Sequence, residues 1–303
     1  YTTARFIVDS PFVVFNDDSS AIAYAEDTVI IVQDIITRAE IARLDGHSDT
    51  VTVADFSGDG RYFLSGSADS TVIVWDTDTW AIVATLEGHT QGILDAEFDA
   101  NSTRVAAIAG DDRVLVWQVN NSFAPREIPV NPGTQLDRVA FFGDGSRLLA
   151  WGTDGQQDVV YNVNIASATT TRNFDLIYDA LNPGFDGDAV RFALTEDDGQ
   201  LIRYDVANGA ALRFERGIRF GVDTVGARAL NSIGNAIATV ITDTETNQSR
   251  LVVFDAGTRE ARSDVRFDGS SDMRITALAF SPDGDALVGA DGRYLVVWNT
   301  ATG

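Results

Sequence analysis

The chain has 303 residues, a formal net charge of −23 and no Cys. All 22 basic residues are Arg, and only nine of the 45 acidic residues are Glu. Such a negative chain opposes binding to nucleic-acid phosphates or anionic lipid, and the lack of Cys excludes disulfides and thiolate chemistry. No apolar run approaches the roughly 20 residues of a membrane-spanning helix. We therefore expect a soluble protein, either cytoplasmic or exported, without nucleic acid or membrane insertion.

The first predicted element is a short strand over residues 4–8, ahead of a repeating pattern that begins near Phe12. No leader-like segment follows Tyr1, so we expect a processed protein or a piece of a longer chain. From Leu44 to Thr77, three short alternating runs are separated by turn residues. This pattern predicts a small antiparallel meander. One meander cannot bury its apolar face alone, so a stable fold requires copies of it.

The meander recurs along the whole chain at a period in the low forties. Its third strand carries a marker position, usually aromatic, at Gln33, Trp75, Trp117, Tyr161, Tyr204, Phe254 and Trp298. The intervals are 42, 42, 44, 43, 50 and 44 residues. A period of this length with short strands predicts an all-β, seven-bladed β-propeller of four-stranded antiparallel blades. We place the blades at about 9–46, 47–88, 89–131, 132–175, 176–220, 221–268 and 269–303 plus 1–8, in one domain over 1–303.

The two ends and the sixth blade carry separate predictions. The seventh copy ends just past its third strand, so residues 4–8 are expected to supply its fourth strand and close the ring. The excess length of the sixth copy is expected in a polar loop near residues 243–249, between its second and third strands.

Two copies carry a Gly-His pair and a later Trp. Gly46-His47 is followed 28 residues on by Trp75, and Gly88-His89 by Trp117. With these motifs the chain resembles the WD-repeat β-propeller family, most closely in blades two, three and seven, while the other four blades are degenerate. The resemblance implies a buried structural hydrogen-bond network in each well-preserved blade. Its members would be His47, Ser65, Asp69 and Trp75 in blade two, and His89, Asp111 and Trp117 in blade three, where Ala107 replaces the Ser.

The same residue types could suggest a hydrolase triad. However, both His of the chain lie at these structural positions, which leaves none for acid–base or metal chemistry. No calcium-loop, phosphate-loop or nucleophile motif occurs. We therefore predict no enzyme activity and no cofactor, with adventitious Ca²⁺ at the Asp-rich turns as an open alternative.

The loops are better candidates for a functional site than these motifs, because a propeller gathers loop residues on one face around its channel mouth. The residues predicted there are Asp49, Thr50, Gln91, Gln135, Asp137, Asp175, Asp223, Thr224, Met273 and Arg274. A mainly acidic rim suits a basic peptide or protein arm, and a merely solvated rim is the alternative. Trp80 follows the third strand of blade two and is expected on the opposite face, either as a partner contact or packed onto a neighbouring blade.

The leading functional hypothesis is a non-catalytic protein-interaction scaffold, within a larger chain or assembly. The first alternative is a small-ligand binder or Ca²⁺-dependent enzyme that uses channel carboxylates. The second is a structural component of a cell surface or filament.

Overall fold

The structure is a computed structural model made of β-strands and turns. It describes residues 5–7, 10–119, 122–130, 133–141, 145–156, 158–175, 184–185, 191–195, 201–205, 211–214, 223–231, 234–246, 248–266, 275, 277–290 and 294–300. These residues form 28 strands in seven four-stranded sheets. Within this described part of the chain, no helix is long and apolar enough to cross a bilayer.

One compact unit, Val14–Ile177, holds four antiparallel sheets, the first of which starts one residue earlier. Sheet 1 consists of β2 (Val13–Phe15), β3 (Ala21–Glu26), β4 (Val29–Asp34) and β5 (Glu40–Asp45). Sheet 2 consists of β6 (Val51–Phe56), β7 (Tyr62–Ser67), β8 (Val72–Asp76) and β9 (Ile82–Leu86). Sheet 3 consists of β10 (Ile93–Phe98), β11 (Arg104–Ala109), β12 (Val114–Gln118) and β13 (Ser122–Ile128). Sheet 4 consists of β14 (Gln135–Phe141), β15 (Arg147–Thr153), β16 (Asp158–Asn164) and β17 (Thr169–Asp175).

The other compact unit, Tyr1–Val13 with Tyr178–Gly303, holds three sheets. Sheet 5 consists of β18 (Gly184–Phe185), β19 (Arg191–Thr195), β20 (Leu201–Asp205) and β21 (Ala211–Phe214). Sheet 6 consists of β22 (Asp223–Leu230), β23 (Ala236–Asp243), β24 (Gln248–Asp255) and β25 (Ala261–Arg266). Sheet 7 consists of β26 (Ala277–Phe280), β27 (Ala286–Ala290), β28 (Tyr294–Asn299) and β1 (Arg5–Ile7).

The N-terminal strand completes sheet 7. β1 pairs antiparallel with β28, with Phe6 opposite Leu295. This confirms the prediction that the start of the chain supplies the fourth strand, over residues 5–7; residues 4 and 8 lie outside the described residues. The prediction of a single domain over 1–303 stays a prediction.

The extra length of sheet 6 corrects the expectation of a long polar loop. β22, β23 and β24 each span eight residues, whereas β7 and β8 of sheet 2 span six and five. Asp243 and Gln248, which were assigned to the loop, are paired in the ladder, so only residues 244–247 connect the two strands. Polar side chains continue the strands here because the extension is stabilised by cross-strand pairs, such as the Thr242–Ser249 hydroxyl pair at 2.8 Å.

The core lies between neighbouring sheets. In β11, the residues from Val105 to Ala109 are all buried, because side chains of alternating direction pack on sheet 2 on one side and sheet 4 on the other. The outer strand β9 instead alternates between exposed and buried residues along its last three positions. The second and third strands therefore form the packed interior, and the outer strand β9 presents part of its side chains to solvent.

Candidate functional site

The hydrogen-bond network of sheet 2 joins five side chains in a row. The indole N–H of Trp75 donates to Ser65 Oγ at 2.9 Å, and Ser65 Oγ lies 2.8 Å from His47 Nε2. His47 Nδ1 lies 3.0 Å from Asp69 Oδ2, and the hydroxyl of Thr71 donates to Asp69 Oδ1 at 2.7 Å. A neutral imidazole satisfies every group, since Ser65 donates to Nε2 and Nδ1–H donates to the carboxylate. The arrangement braces one blade from its loop to its third strand.

Sheet 3 keeps only the His89–Asp111 pair of this network, so the prediction that Trp117 belongs to it is wrong: without a Ser hydroxyl at position 107, no side chain of the described residues links the indole to the imidazole. His89 Nδ1 lies 3.0 Å from Asp111 Oδ1, but Ala107 stands where sheet 2 has a Ser. Trp117 Nε1 donates instead to the carbonyl of Glu87 at 3.3 Å, and His89 Nε2 has no hydrogen-bond partner among the described residues. Burial lowers the pKa of the His89 imidazole, while the Asp111 carboxylate opposes that shift. A hydrolase would need the imidazole open to substrate, but His47 and His89 have side-chain exposures of 0% and 1%.

At one end of sheets 1 to 4, turns between second and third strands meet the segment that precedes the next inner strand. Thr50 Oγ1 donates to Asp27 Oδ1 at 3.0 Å across sheets 1 and 2. Gly92 comes so close to Ala68 that a Cβ on Gly92 would lie 3.0 Å from the Ala68 Cα. We call this end the acidic rim, and it comprises Asp27, Asp49, Thr50, Gln91, Leu94, Asp112, Gln135 and Asp137, all of them exposed.

The rim side chains are set by bulges in the inner strands. In β14 the register shifts between Leu136 and Arg138, so Asp137 is the extra residue and its side chain is exposed. The corresponding extra residue in β10 is Leu94, with 44% of its surface exposed. Gln135 approaches β15 so closely that a Cβ on Gly152 would clash with the Gln135 carbonyl oxygen. The rim thus combines carboxylates and amides with one apolar side chain.

Asp137 is the rim carboxyl whose acidity its surroundings change. Burial raises the pKa of its carboxyl; Arg138 lowers it, and the nearby negative charge of Asp112 raises it. Asp27 and Asp112 also have a backbone role, since both have positive φ, 59° and 58°, which Asp tolerates better than most residues. Turn geometry therefore contributes to the acidity of this end.

Trp80 lies at the end of sheet 2 opposite the acidic rim, and several other predicted contact residues lie outside the described part. Trp80 is half-buried in the β8–β9 turn, and its ring makes an edge contact with Phe63 of its own sheet at 6.3 Å. Asp223 is the first residue of β22, but its side chain is outside the described residues. The same applies to the side chains of Asp175 and Thr224. Met273 and Arg274 lie entirely outside the described residues.

Three carboxylates on inner strands escaped the sequence analysis. Asp55 on β6 accepts the backbone N–H of Phe98 at 3.0 Å. Asp95 on β10 accepts the N–H of Val139 at 2.9 Å, and Glu97 accepts the N–H of Phe141. Each inner strand is the edge of its sheet, with backbone donors that no strand pairs. The carboxylates satisfy these donors across neighbouring sheets.

Burial is the main cause that shifts the acidity of these three carboxyl groups. Burial raises the pKa of Asp55 to about 7, with a further contribution from the charge of Asp95. Burial also raises the pKa of Asp95, against the opposing effect of Arg138. Burial and then the charges of Asp55 and Asp95 raise the pKa of Glu97 well above its usual value. The signal in the sequence is the presence of acidic residues inside the apolar runs of β6 and β10.

The described residues contain no group of three or more His, Asp or Glu side chains placed to hold a metal ion. The buried carboxylates are directed at backbone donors of the next sheet. What this arrangement does is therefore to join neighbouring sheets.

Comparisons with known proteins agree with this architecture. A family model described as "WD domain, G-beta repeat" (WD40) matches residues 38–76, 80–118 and 263–299. These matches cover the third strands of sheets 2, 3 and 7, the blades for which the sequence predicted the closest resemblance. No curated protein matches the chain in sequence.

Among solved structures, the chain is similar to the β-propeller domain of Cps50 (Swd1) from Myceliophteria thermophila. The TM-score is 0.79 at 15% sequence identity, over 98% of this chain and 99% of that domain. This likeness establishes the fold, and the family model establishes the repeats. The chain therefore carries WD40 repeats at three positions within a β-propeller fold.

Proposed function

We propose that this chain is a non-catalytic protein-interaction module that binds a basic segment of a partner protein on the acidic rim. WD40 propellers generally serve as protein-interaction scaffolds and are typically non-catalytic. The chain-specific support is the set of exposed carboxylates gathered at one end of sheets 1 to 4. Asp137 is the strongest single support for this proposal. A bulge exposes its side chain near Asp112, and a bound cation would relieve the repulsion between the two carboxylates.

Leu94 supplies the second part of the recognition. Its side chain is exposed and belongs to the same end of the sheets as the rim carboxylates, so a partner segment with one apolar residue next to Arg or Lys fits the rim. Buried apolar contacts contribute to affinity, while exposed charges mainly steer association and set register. The proposed partner is therefore a basic segment with an apolar anchor.

The test is titration of a short Arg- and Lys-rich peptide containing one Leu, measured by calorimetry at several salt concentrations. The double variant Asp49→Asn with Asp137→Asn should bind roughly tenfold more weakly and show a shallower salt dependence, because about 1 kcal/mol or more is lost with two rim charges. The matched control is Asp17→Asn with Asp78→Asn, which removes the same charge from exposed turns at the other end of sheets 1 and 2. Equal weakening of peptide binding by both double variants would show that only net charge matters and would contradict binding at the acidic rim.

We further propose that binding requires no cofactor or metal. The same titrations should give equal peptide affinities in EDTA and in CaCl₂. A Ca²⁺ requirement would instead favour the alternative of a carboxylate-based ligand binder or enzyme.

A further inference from the structure

A cavity of about 540 Å³ opens between sheets 3 and 4, inside the unit Val14–Ile177. It lies at the end of the strands opposite the acidic rim, where β11 and β13 begin and β12 ends. The described residues that line it are Arg104, Val116, Gln118, Ala124, Arg126, Ser146, Asn164, Ile165 and Ala166. In a chain of net charge −23, this lining has two guanidinium groups and no Asp or Glu among its described members.

The register of sheet 3 explains why the two arginines share the cavity. Arg104 lies opposite Gln118 in the β11–β12 ladder, and Arg126 lies opposite Val116 in the β12–β13 ladder. Val116 and Gln118 are two residues apart on one strand, so they point to the same face. Both arginines therefore project from the face of sheet 3 that packs on sheet 4.

Each guanidinium is anchored and keeps donors for a ligand. Arg104 Nη1 donates to the carbonyl of Gly145 at 2.6 Å, and Arg126 Nη2 donates to the carbonyl of Ala166 at 2.8 Å. An Arg side chain has five N–H donors, so one carbonyl contact leaves the rest of each fork available. These anchors hold the groups in place before a ligand arrives, which lowers the entropy lost on binding.

The neighbouring carboxylate is set behind the cavity. Asp99 Oδ2 lies 4.0 Å from Arg104 Nη1, with the Asp99 side chain 1% exposed and the Arg104 side chain 33% exposed. The Asp99 oxygens accept the Thr103 hydroxyl at 2.8 Å and the backbone N–H groups of Thr103 and Arg104 at 2.6 and 2.9 Å. Arg126 has no carboxylate within 4.0 Å among the described residues. The solvent-facing charge of the cavity is therefore positive.

The corresponding place in sheet 2 is filled. Tyr62, opposite Asp76, stands where sheet 3 has Arg104, and its ring stacks on Phe98 at 6.4 Å. Ala84, opposite Val74, stands where sheet 3 has Arg126 and is 8% exposed. Sheet 3 thus departs from its neighbour by replacing an aromatic and a methyl group with two cations around open space.

We propose that this cavity binds a small organic phosphate, with the Arg104 and Arg126 guanidiniums on the phosphate and the apolar side chains of Val116 and Ile165 against the organic part. Guanidinium forks match phosphate oxygens in pairs. Gln118, Ser146 and Asn164 supply further polar groups for the remaining oxygens. The volume falls within the range of about 300–1,000 Å³ that small-molecule sites occupy. This site is independent of the proposed rim function.

The probe is phenyl phosphate, titrated into the full chain by calorimetry. Inorganic phosphate and benzyl alcohol test the anionic and the apolar halves separately, and a phosphotyrosine peptide distinguishes a free ligand from a peptide-borne one. We expect saturable binding of phenyl phosphate. Inorganic phosphate and benzyl alcohol should each bind roughly tenfold or more weakly than phenyl phosphate, and Arg126→Gln should weaken phenyl phosphate binding by a similar factor. Arg126→Lys should recover part of the affinity, because it restores the charge without the fork.

The matched control is Arg113→Gln, which removes the same charge from sheet 3 outside the cavity, where Arg113 pairs with Glu127 at 2.5 Å. Thermal melts establish that each variant is folded. The proposal is overturned by the absence of saturable phenyl phosphate binding, by equal binding of benzyl alcohol, or by equal losses for Arg126→Gln and Arg113→Gln. Preference for the phosphopeptide over phenyl phosphate would overturn the assignment to a small free ligand.

Discussion

Asp55 shows how one half-buried side chain can serve structure and still respond to pH. Its carboxylate accepts the Phe98 N–H across two sheets. An amide oxygen could accept the same donor, so the ionisable group is not required for the contact. The acid is distinguished by its proton: its pKa is about 7 in the folded protein against 3.8 as the usual value.

The first prediction concerns Asp55→Asn. Between pH 4 and 7 the folded protein holds a proton that the unfolded chain releases, so wild-type stability from this group falls as pH rises through about 7. The Asn variant lacks that loss. Urea unfolding at pH 5 and pH 8 should therefore show the free energy of unfolding of the variant gaining at least about 1 kcal/mol relative to wild type at the higher pH.

The control is Asp78→Asn, which removes the same charge from an exposed turn and is measured at the same two pH values. If Asp55→Asn shows the same difference from wild type at both pH values, the carboxyl is not protonated in the folded state near neutrality.

Residues with a motif could be predicted from the sequence, whereas residues defined by a neighbour could not. His47 and Trp75 were placed in one network because their spacing resembles a known family. Asp55 and Asp95 have no such spacing, and their partners lie more than 40 residues away on the next sheet. Leu94 looks like an ordinary strand residue until the bulge beside it turns it outward.

Element boundaries follow the same rule. The Asp59-Gly60 pair in the sequence predicts a turn after β6. In the structure Gly60 has φ of 69°, and the Ser57 hydroxyl donates to Asp59 at 2.8 Å. Sheet 7 repeats this turn at Ser281 and Gly284. The eight-residue strands of sheet 6 could not be predicted, because the spacing between repeats locates extra residues without showing whether they pair. The side chains that pair them are polar, which in sequence favours a loop.

The second prediction concerns the N-terminal strand. Deleting residues 1–8 removes β1 and leaves Tyr294 to Val296 of β28 as an unpaired sheet edge. Lost ladder hydrogen bonds and an open edge cost a few kcal/mol, which should lower the melting temperature by roughly 5–10 °C. Calorimetric or circular-dichroism melts provide the measurement.

Deletion of residues 1–4 alone is the control, because β1 begins at Arg5. That variant should melt close to the full chain. Equal melting of the 1–8 deletion and the full chain would mean that sheet 7 is stable with three strands.

For the whole molecule, the dominant property is the formal net charge of −23, which remains because 22 arginines do not balance 45 acidic residues. Self-repulsion of this size destabilises the compact state, and salt screens it with a Debye length of about 10 Å at 0.1 M and 3 Å at 1 M. The third prediction is that the melting temperature rises from low salt to about 0.5 M NaCl. Most of the gain should come below 0.2 M, where screening changes fastest.

The shape of this curve separates charge screening from a general salting-out effect. Salting-out grows with concentration and is stronger for sulfate than for chloride, whereas screening saturates and, at equal ionic strength, is the same for both salts. A melting temperature that is flat below 0.2 M and rises only at higher sulfate concentration would contradict the prediction. Binding of a basic peptide to the acidic rim should respond in the opposite direction, because the salt that relieves repulsion within the chain also screens its attraction for the peptide. Opposite salt dependences for stability and peptide affinity in one protein would therefore link the acidic composition to binding rather than to folding.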